Sequence, residues 1–276
     1  MEQITSAEEL LKRLHDSRIV IYGTGYVGKK FFQALKNNGL VQNVVSFAVS
    51  KVPADLTVIE GIQVHSIEHI AFGDSVMVCV AVHEALKDKM IGTLEQMGMR
   101  KYVWIHPFLY ELFLGRPLKR DVDVEVENIV QTCRDDYRLA VRWLVIEQYF
   151  GKNNLGYSLY ERAESIHCEK YTARERLKKF LELIRSWEKT GYLEDRRIQI
   201  NSRYEIVDGR HRIAAAYYFN QRTVRCDIYP GEVPVEKLHD EEVMLTEKVL
   251  TDHGFSVKEI GLLAEMNQMK HHKGVP

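Results

Sequence analysis

The stretch RIVIYGTGYVGKKFFQALKNNG, Arg18 to Gly39, narrows most what this chain can fold into. An apolar run, Ile19 to Tyr22, has the character of a buried strand and passes directly into three glycines. Behind them Phe31, Phe32 and Leu35 recur at helical spacing, and Gly39 offers a C-terminal stop. VVSFAV (44–49) reads as a second strand, and VMVCVAV (76–82) is a continuous apolar run, as in a parallel strand buried on both faces. KDKMIGTLEQMG then has helical spacing and YVWIH (102–106) reads as another strand. Strands alternating with helices predict an α/β fold with a parallel, doubly wound sheet over residues 1–115.

After His106-Pro107 the pattern changes. PFLYELFLGRPLKRDVDVEVE reads as a linker holding a short helix. ENIVQTCRDDYRLAVRWLVIEQYF reads as one long helix, with Ile129, Cys133, Tyr137, Ala140 and Leu144 on one face. Residues 116–150 are therefore expected to form a helical linker. A second, α+β unit is expected over 151–232, followed by C-terminal helices over 233–276. In that unit Thr172-Ala-Arg-Glu175 has the form of a capping box. Leu177, Phe180, Leu181, Ile184 and Trp187 form an apolar stripe behind it. RIQIN (197–201) and RYEIV (203–207) are short strands, and TVRCDIY is a last one.

The chain has 276 residues and a formal net charge of −1. That balance disfavours duplex nucleic acid as the main partner, because neutralising a row of phosphates calls for a basic excess. Residues 161–230 hold 15 Lys and Arg against 11 Asp and Glu, a mild excess that suits a small phosphorylated ligand better. No apolar run approaches the roughly 20 residues of a membrane span, and the charged N-terminus lacks a secretory core. A cytoplasmic protein without a membrane partner is expected. Cys79, Cys133, Cys168 and Cys226 form no C-x-x-C pair and read as reduced, mostly buried thiols. His167 and Cys168 are sequence neighbours whose side chains point apart, so they are set aside as a nucleophile and its base.

Gly23, Gly25 and Gly28 spell G-x-G-x-x-G between strand and helix. Gly23 and Gly25 permit a tight turn and close backbone approach, and the helix N-terminus favours an anion. The acidic side chain that usually ends the second strand and holds a ribose is missing, since the sequence there is Phe47-Ala48-Val49-Ser50-Lys51. Lys51 is instead suited to a phosphate. Residues 15–106 resemble the small Rossmann-like N-terminal domains of bacterial sugar-modifying enzymes, including sugar acyltransferases and methyltransferases. That resemblance implies a nucleotide or nucleotide-sugar at the glycine turn, or a scaffold with no ligand. NAD(P) redox chemistry is a further alternative.

A second motif is VDGRHRIAAA, Val207 to Ala216. Gly209 allows backbone N–H groups to approach an anion, the following helix adds partial positive charge, and Arg210, His211 and Arg212 add charge-assisted bonds. Ala214 to Ala216 let the helix lie close to its sheet. The plainer reading makes Arg210 and Arg212 solvated charges and His211 a hydrogen-bonder of the core. Over residues 155–230, D-G-x-H-R-x-A-A and its surrounding elements resemble the ParB/sulfiredoxin superfamily. The form is that of ParB-like nucleotide-binding proteins and free serine kinases. Arg210 stands where sulfiredoxins place a reactive cysteine, which argues against that chemistry.

The resemblance implies that His211 and Arg212 hold nucleotide phosphates, with Gly209 and the Arg210 amide completing the cradle. Asp208 would hold Mg²⁺ or orient a substrate hydroxyl. A glutamate upstream would act as general base, with Glu164 the first choice, then Glu161, and Glu169 as a third candidate. Two functions lead on this reading. One is a phosphotransferase using ATP or ADP with Mg²⁺ on a small hydroxylated substrate such as a sugar or amino acid. The other is a noncatalytic nucleotide sensor. A Rossmann oxidoreductase is a third, and a DNA-associated ParB-like protein is disfavoured by charge. Self-association is left open.

Overall fold

The computed structural model describes residues 4–52, 57–71, 73, 75–168, 170–191, 197–231 and 244–271. The chain divides into two compact units, Met1–Arg116 and Pro117–Pro276. Among the described residues no helix is long and apolar enough to cross a membrane.

Unit 1 opens with α1 (Ala7–His15), whose first turn is capped by Ser6 Oγ accepting from the Glu9 amide. Then follow β1 (Arg18–Tyr22), α2 (Tyr26–Asn37), β2 (Val44–Val49), β3 (Val58–Ile59), β4 (Ile62–Ser66) and β5 (Val76–Val80). The unit closes with α3 (Glu84–Gln96), β6 (Tyr102–Trp104) and α4 (Leu109–Leu114). One sheet runs β3-β4-β2-β1-β5-β6, parallel throughout except for the short antiparallel β3. Alternation along the strands explains why both faces are apolar. Ile19, Ile21, Phe47 and Cys79 pack with Phe31 and Phe32 of α2 on one face. Val20, Tyr22, Val78 and Val80 pack with Met90 and Leu94 of α3 on the other.

Unit 2 contains β7 (Lys119–Glu125), α5 (Val126–Gln131), α6 (Arg138–Tyr149), α7 (Gly156–Glu164) and α8 (Lys170–Thr190). After these come β8 (Ile198–Asn201), β9 (Ile206–Asp208), α9 (Arg210–Tyr218), β10 (Thr223–Tyr229), α10 (Glu247–Asp252) and α11 (Val257–His271). Its sheet, separate from that of unit 1, has the order β7-β10-β8-β9. β10 is parallel to β8 and antiparallel to β7, and β8 is antiparallel to β9. The centre of the unit is α6, where every residue from Leu139 to Ile146 is buried. Trp143 lies wholly inside and donates from Nε1 to the Ala214 carbonyl of α9 at 3.1 Å.

Three expectations for this region are corrected. Residues 119–125, expected in a linker, form β7, which pairs with β10 and belongs to the sheet of unit 2. The single long helix over 127–150 is two helices. Asp136 interrupts it: the carboxylate accepts from the Arg138 amide at 3.0 Å, from Arg138 Nε and from the Leu245 amide at 3.2 Å. A short acidic side chain that satisfies backbone donors outside a helix competes with helix continuation. Finally, Thr172 lies inside α8, which begins at Lys170, so Thr172-Glu175 does not form the start of that helix.

Candidate functional site

β9 ends at Asp208, and the chain turns through Gly209 into α9. Gly209 has φ +103°, a left-handed conformation that L side chains rarely adopt. A Cβ there would also press at 3.0–3.1 Å against Arg212 Nη2 and the Ile198 side chain. Two independent constraints thus keep this position a glycine at the N-terminus of a nine-residue helix.

Asp208 and Arg212 fix each other across the first turn, with Nη2 to Oδ2 at 3.0 Å. Arg212 Nη1 also donates to the Arg197 carbonyl at 2.8 Å, so its guanidinium is oriented from two sides. The Asp208 carboxylate reaches solvent while the Arg212 side chain is largely covered. His211 points the other way. Its Nε2 shares a hydrogen bond of 2.6 Å with the Tyr160 hydroxyl, and its ring packs 4.6 Å from that of Phe180. Burial, and then the Arg142 charge, hold His211 well below the usual imidazole range, so it is neutral near pH 7. Burial likewise pushes the Tyr160 hydroxyl up and keeps it protonated.

Glu164 lies behind this pair. It is buried and accepts from Arg142 Nη2 and from Arg176 Nη1, both at 2.8 Å. Burial alone would raise its carboxyl, but the Arg142 charge and the Arg176 hydrogen bond outweigh it and bring it down to about 2. The Arg142 guanidinium also lies over the Tyr160 ring, 5.5 Å from its centroid, and donates to the Arg138 carbonyl. Among the described residues its buried Nε has no hydrogen-bond partner. Arg142, Arg176 and Arg210 all act electrostatically on His211.

Of the residues named from sequence, Asp208, Gly209, Arg210, His211 and Arg212 thus form one turn, with Glu164 in the layer beneath it. Glu161 faces outward and is paired with Arg174 at 3.4 Å. Glu169 lies outside the described residues. Arg142, Arg176, Tyr160 and Phe180 were not marked as site residues. Arg142 carried a signal, a lone charge within the otherwise apolar LAVRWLVI. Among the described residues no group of three or more His, Cys, Asp or Glu side chains is placed to hold a metal ion.

In unit 1 the three glycines separate into two kinds. Gly23 has φ +128°, and a Cβ on it would lie 2.5 Å from the Ala81 carbonyl oxygen. A Cβ on Gly28 would collide with the Gly23 carbonyl. Both are required by the turn itself. Gly25, the N-cap of α2, has φ −76° and nothing within 4 Å of its Cβ position. Lys51, at the end of β2, is exposed.

Comparison of the chain with family models, curated proteins and solved structures finds no match.

Proposed function

We propose that unit 2 binds the phosphates of a nucleotide, ATP or ADP with Mg²⁺, at the turn Asp208–Arg212. The observation that carries this reading is the left-handed Gly209 at the N-cap of α9, with three basic or imidazole side chains in the helix's first turn. A helix N-terminus presents N–H groups and a partial positive charge to an anion. Arg142 and Arg176 pair with Glu164, Arg212 pairs with Asp208, and Arg142, Arg176 and Arg210 all act electrostatically on His211. The succession α7, α8, β8, β9, D-G-R-H-R, α9, β10 also supports a ParB/sulfiredoxin-like domain. The parallel sheet with its glycine turn supports a Rossmann-like unit 1.

In this reading His211 acts as a neutral donor. With the Tyr160 hydroxyl donating to Nε2, the ring proton resides on Nδ1. Asp208 suits Mg²⁺, which is commonly held by one or two carboxylates together with substrate phosphates. The ion would neutralise phosphate charge there. Glu164 takes a positioning role instead of a catalytic one, because a carboxylate held between two arginines and titrating near 2 is a poor proton acceptor. A phosphoryl-transfer reaction would draw its base from Glu161, the second of the glutamates named from sequence. A sensor that binds without transfer needs none.

Isothermal titration with ATP·Mg²⁺ and ADP·Mg²⁺ tests the reading. Arg212→Ala removes an oriented cation worth about 1.5–3 kcal/mol in a charge-assisted bond. Affinity should fall by roughly 10- to 150-fold, with only partial recovery in Arg212→Lys, which lacks the planar fork. An Arg212→Ala chain that is folded and binds like wild type rules out the phosphate cradle. Transfer of a labelled γ-phosphoryl group from ATP to a hydroxylated acceptor, with ADP left behind, separates kinase from sensor.

A further inference from the structure

In unit 1, His83 stands at the N-cap of α3 and His106 follows shortly after β6. Ile105 N donates to the Val80 carbonyl, which carries the pairing of β5 and β6 past the ends of both strands and brings the two histidines side by side. His83 Nδ1 and His106 Nε2 are 3.1 Å apart, their ring centroids are 4.8 Å apart, and the rings stand at 60° to each other. Each ring also stacks on an aromatic neighbour. His83 lies parallel to Tyr26 within 5°, and His106 packs on Trp104 with centroids 5.7 Å apart. Trp104 is itself fixed, since its Nε1 donates to the Val82 carbonyl at 2.8 Å.

A hydrogen bond alone accounts poorly for this geometry. A good N–H···N bond runs close to in-line, and in-line imidazoles at this nitrogen spacing would hold their centroids about 5.4 Å apart. The rings are closer, so at least one nitrogen is turned off the line and towards a point beside it. The spacing suits two ligands of one cation. An ion about 2.0–2.1 Å from each nitrogen would subtend roughly 95–100° between them, which falls between the octahedral and tetrahedral values. The two stacking contacts supply orientation, and rings that are fixed before an ion arrives cost little to organise on binding.

We propose that His83 and His106 form a site for a divalent transition-metal cation, with His83 Nδ1 and His106 Nε2 as its protein ligands and water in the remaining positions. Each imidazole then carries its proton on the far nitrogen, Nε2 of His83 and Nδ1 of His106. Two nitrogen donors select Cu²⁺, Ni²⁺ or Zn²⁺ over Mg²⁺ and Ca²⁺, which take oxygen ligands. With water completing its sphere the ion is exchangeable, unlike one held in a closed structural site by four protein ligands. Once bound, it ties the connection after β5 to the connection after β6. No residue of this site belongs to the turn at Gly209, so the two readings are independent.

The test is isothermal titration of the full-length chain with Zn²⁺ and Cu²⁺, carrying His271→Ala and His272→Ala so that the histidine pair near the C-terminus is removed. One cation should bind per chain, Cu²⁺ more tightly than Zn²⁺, and excess Mg²⁺ should not displace it. Loss of an outer hydrogen-bond partner alone costs roughly 10–100-fold in metal affinity, so His83→Ala and His106→Ala should each weaken binding by at least about tenfold. His106→Gln keeps a hydrogen-bonding side chain without the imidazole and should bind no better than the Ala variant. His83 is exposed and His106 half-buried, so these variants should keep the wild-type circular dichroism. Cu²⁺ should also quench Trp104, and most of that quenching should vanish in Trp104→Phe while the stoichiometry holds. The inference is overturned if the background chain binds neither cation, if either histidine variant binds as well as it does, or if the quenching survives Trp104→Phe, which would put the ion elsewhere.

Discussion

Replacing Glu164 with Gln removes one negative charge from between two guanidiniums and changes little else in shape. The side chains of Glu164 and Arg142 are 7% and 6% exposed, whereas that of Arg176 is 42% exposed. The Arg176 contact is therefore solvent-screened and contributes about 0–1 kcal/mol. The cost is concentrated on Arg142, which keeps its charge in a covered site without a counter-ion, a loss of about 3–5 kcal/mol. The depressed carboxyl gives a second figure: a shift from 4.5 to about 2 on folding corresponds to about 3 kcal/mol. The two routes agree. For a unit of this size the melting temperature should fall by roughly 6–20 °C at pH 7. Because the folded carboxyl is depressed, its contribution is complete above about pH 4.5 and is lost as the pH falls towards 2. The wild-type and Gln curves must therefore converge in acid. Thermal melts followed by circular dichroism, with fluorescence from Trp143 and Trp187 reporting on unit 2, measure both effects. A Gln variant melting within 2 °C of wild type at neutral pH would refute the reasoning. So would a gap that persists unchanged between pH 4.5 and pH 3.

Gly209→Ala should destabilise unit 2 by about 1–3 kcal/mol in urea titrations, through its left-handed φ and the crowding against Ile198. Gly28→Ala should prevent unit 1 from reaching its native far-UV and near-UV spectra, since its Cβ would collide with the Gly23 carbonyl, whereas Gly25→Ala should melt with the wild type.

What could be read from the sequence was what local chemistry encodes. The strand–glycine–helix order of unit 1 follows from apolar runs and turn residues within a few positions of one another, and β1, β2, β5 and β6 lie where those runs are. The turn at Gly209 is local in the same sense. β7 escaped notice because KRDVDVE looks like a charged connector. It is an edge strand whose buried side chain is Val124, and charged residues are how exposed sheet edges avoid pairing with other chains. The break before α6 was missed because its cause is distant: Asp136 is held partly by the amide of Leu245, over a hundred residues later.

Glu164 shows most sharply why the site's chemistry resists a reading of the motif alone. As a sequence letter it is one of three glutamates near a helix, and a general base is a reasonable expectation. Its partners come from α6, 22 residues earlier, and from α8, 12 residues later, and only the packing of those helices joins them. Once joined, they fix its protonation. A carboxylate that must accept a proton needs a pKa near the working pH, while one that must hold two guanidiniums in place needs the opposite. Glu164 has the second environment. Burial and the neighbouring Arg142 charge keep His211 neutral, so in the proposed function phosphate recognition would rest on the oriented Arg212 fork and the backbone at Gly209, with His211 as a hydrogen-bond donor and not as a cation. In the proposed function the protein's own contribution to affinity would depend on Arg212 geometry and carry no imidazole titration, so a change in affinity between about pH 6 and pH 8 would come from the ligand's phosphate, whose second ionisation lies near pH 6.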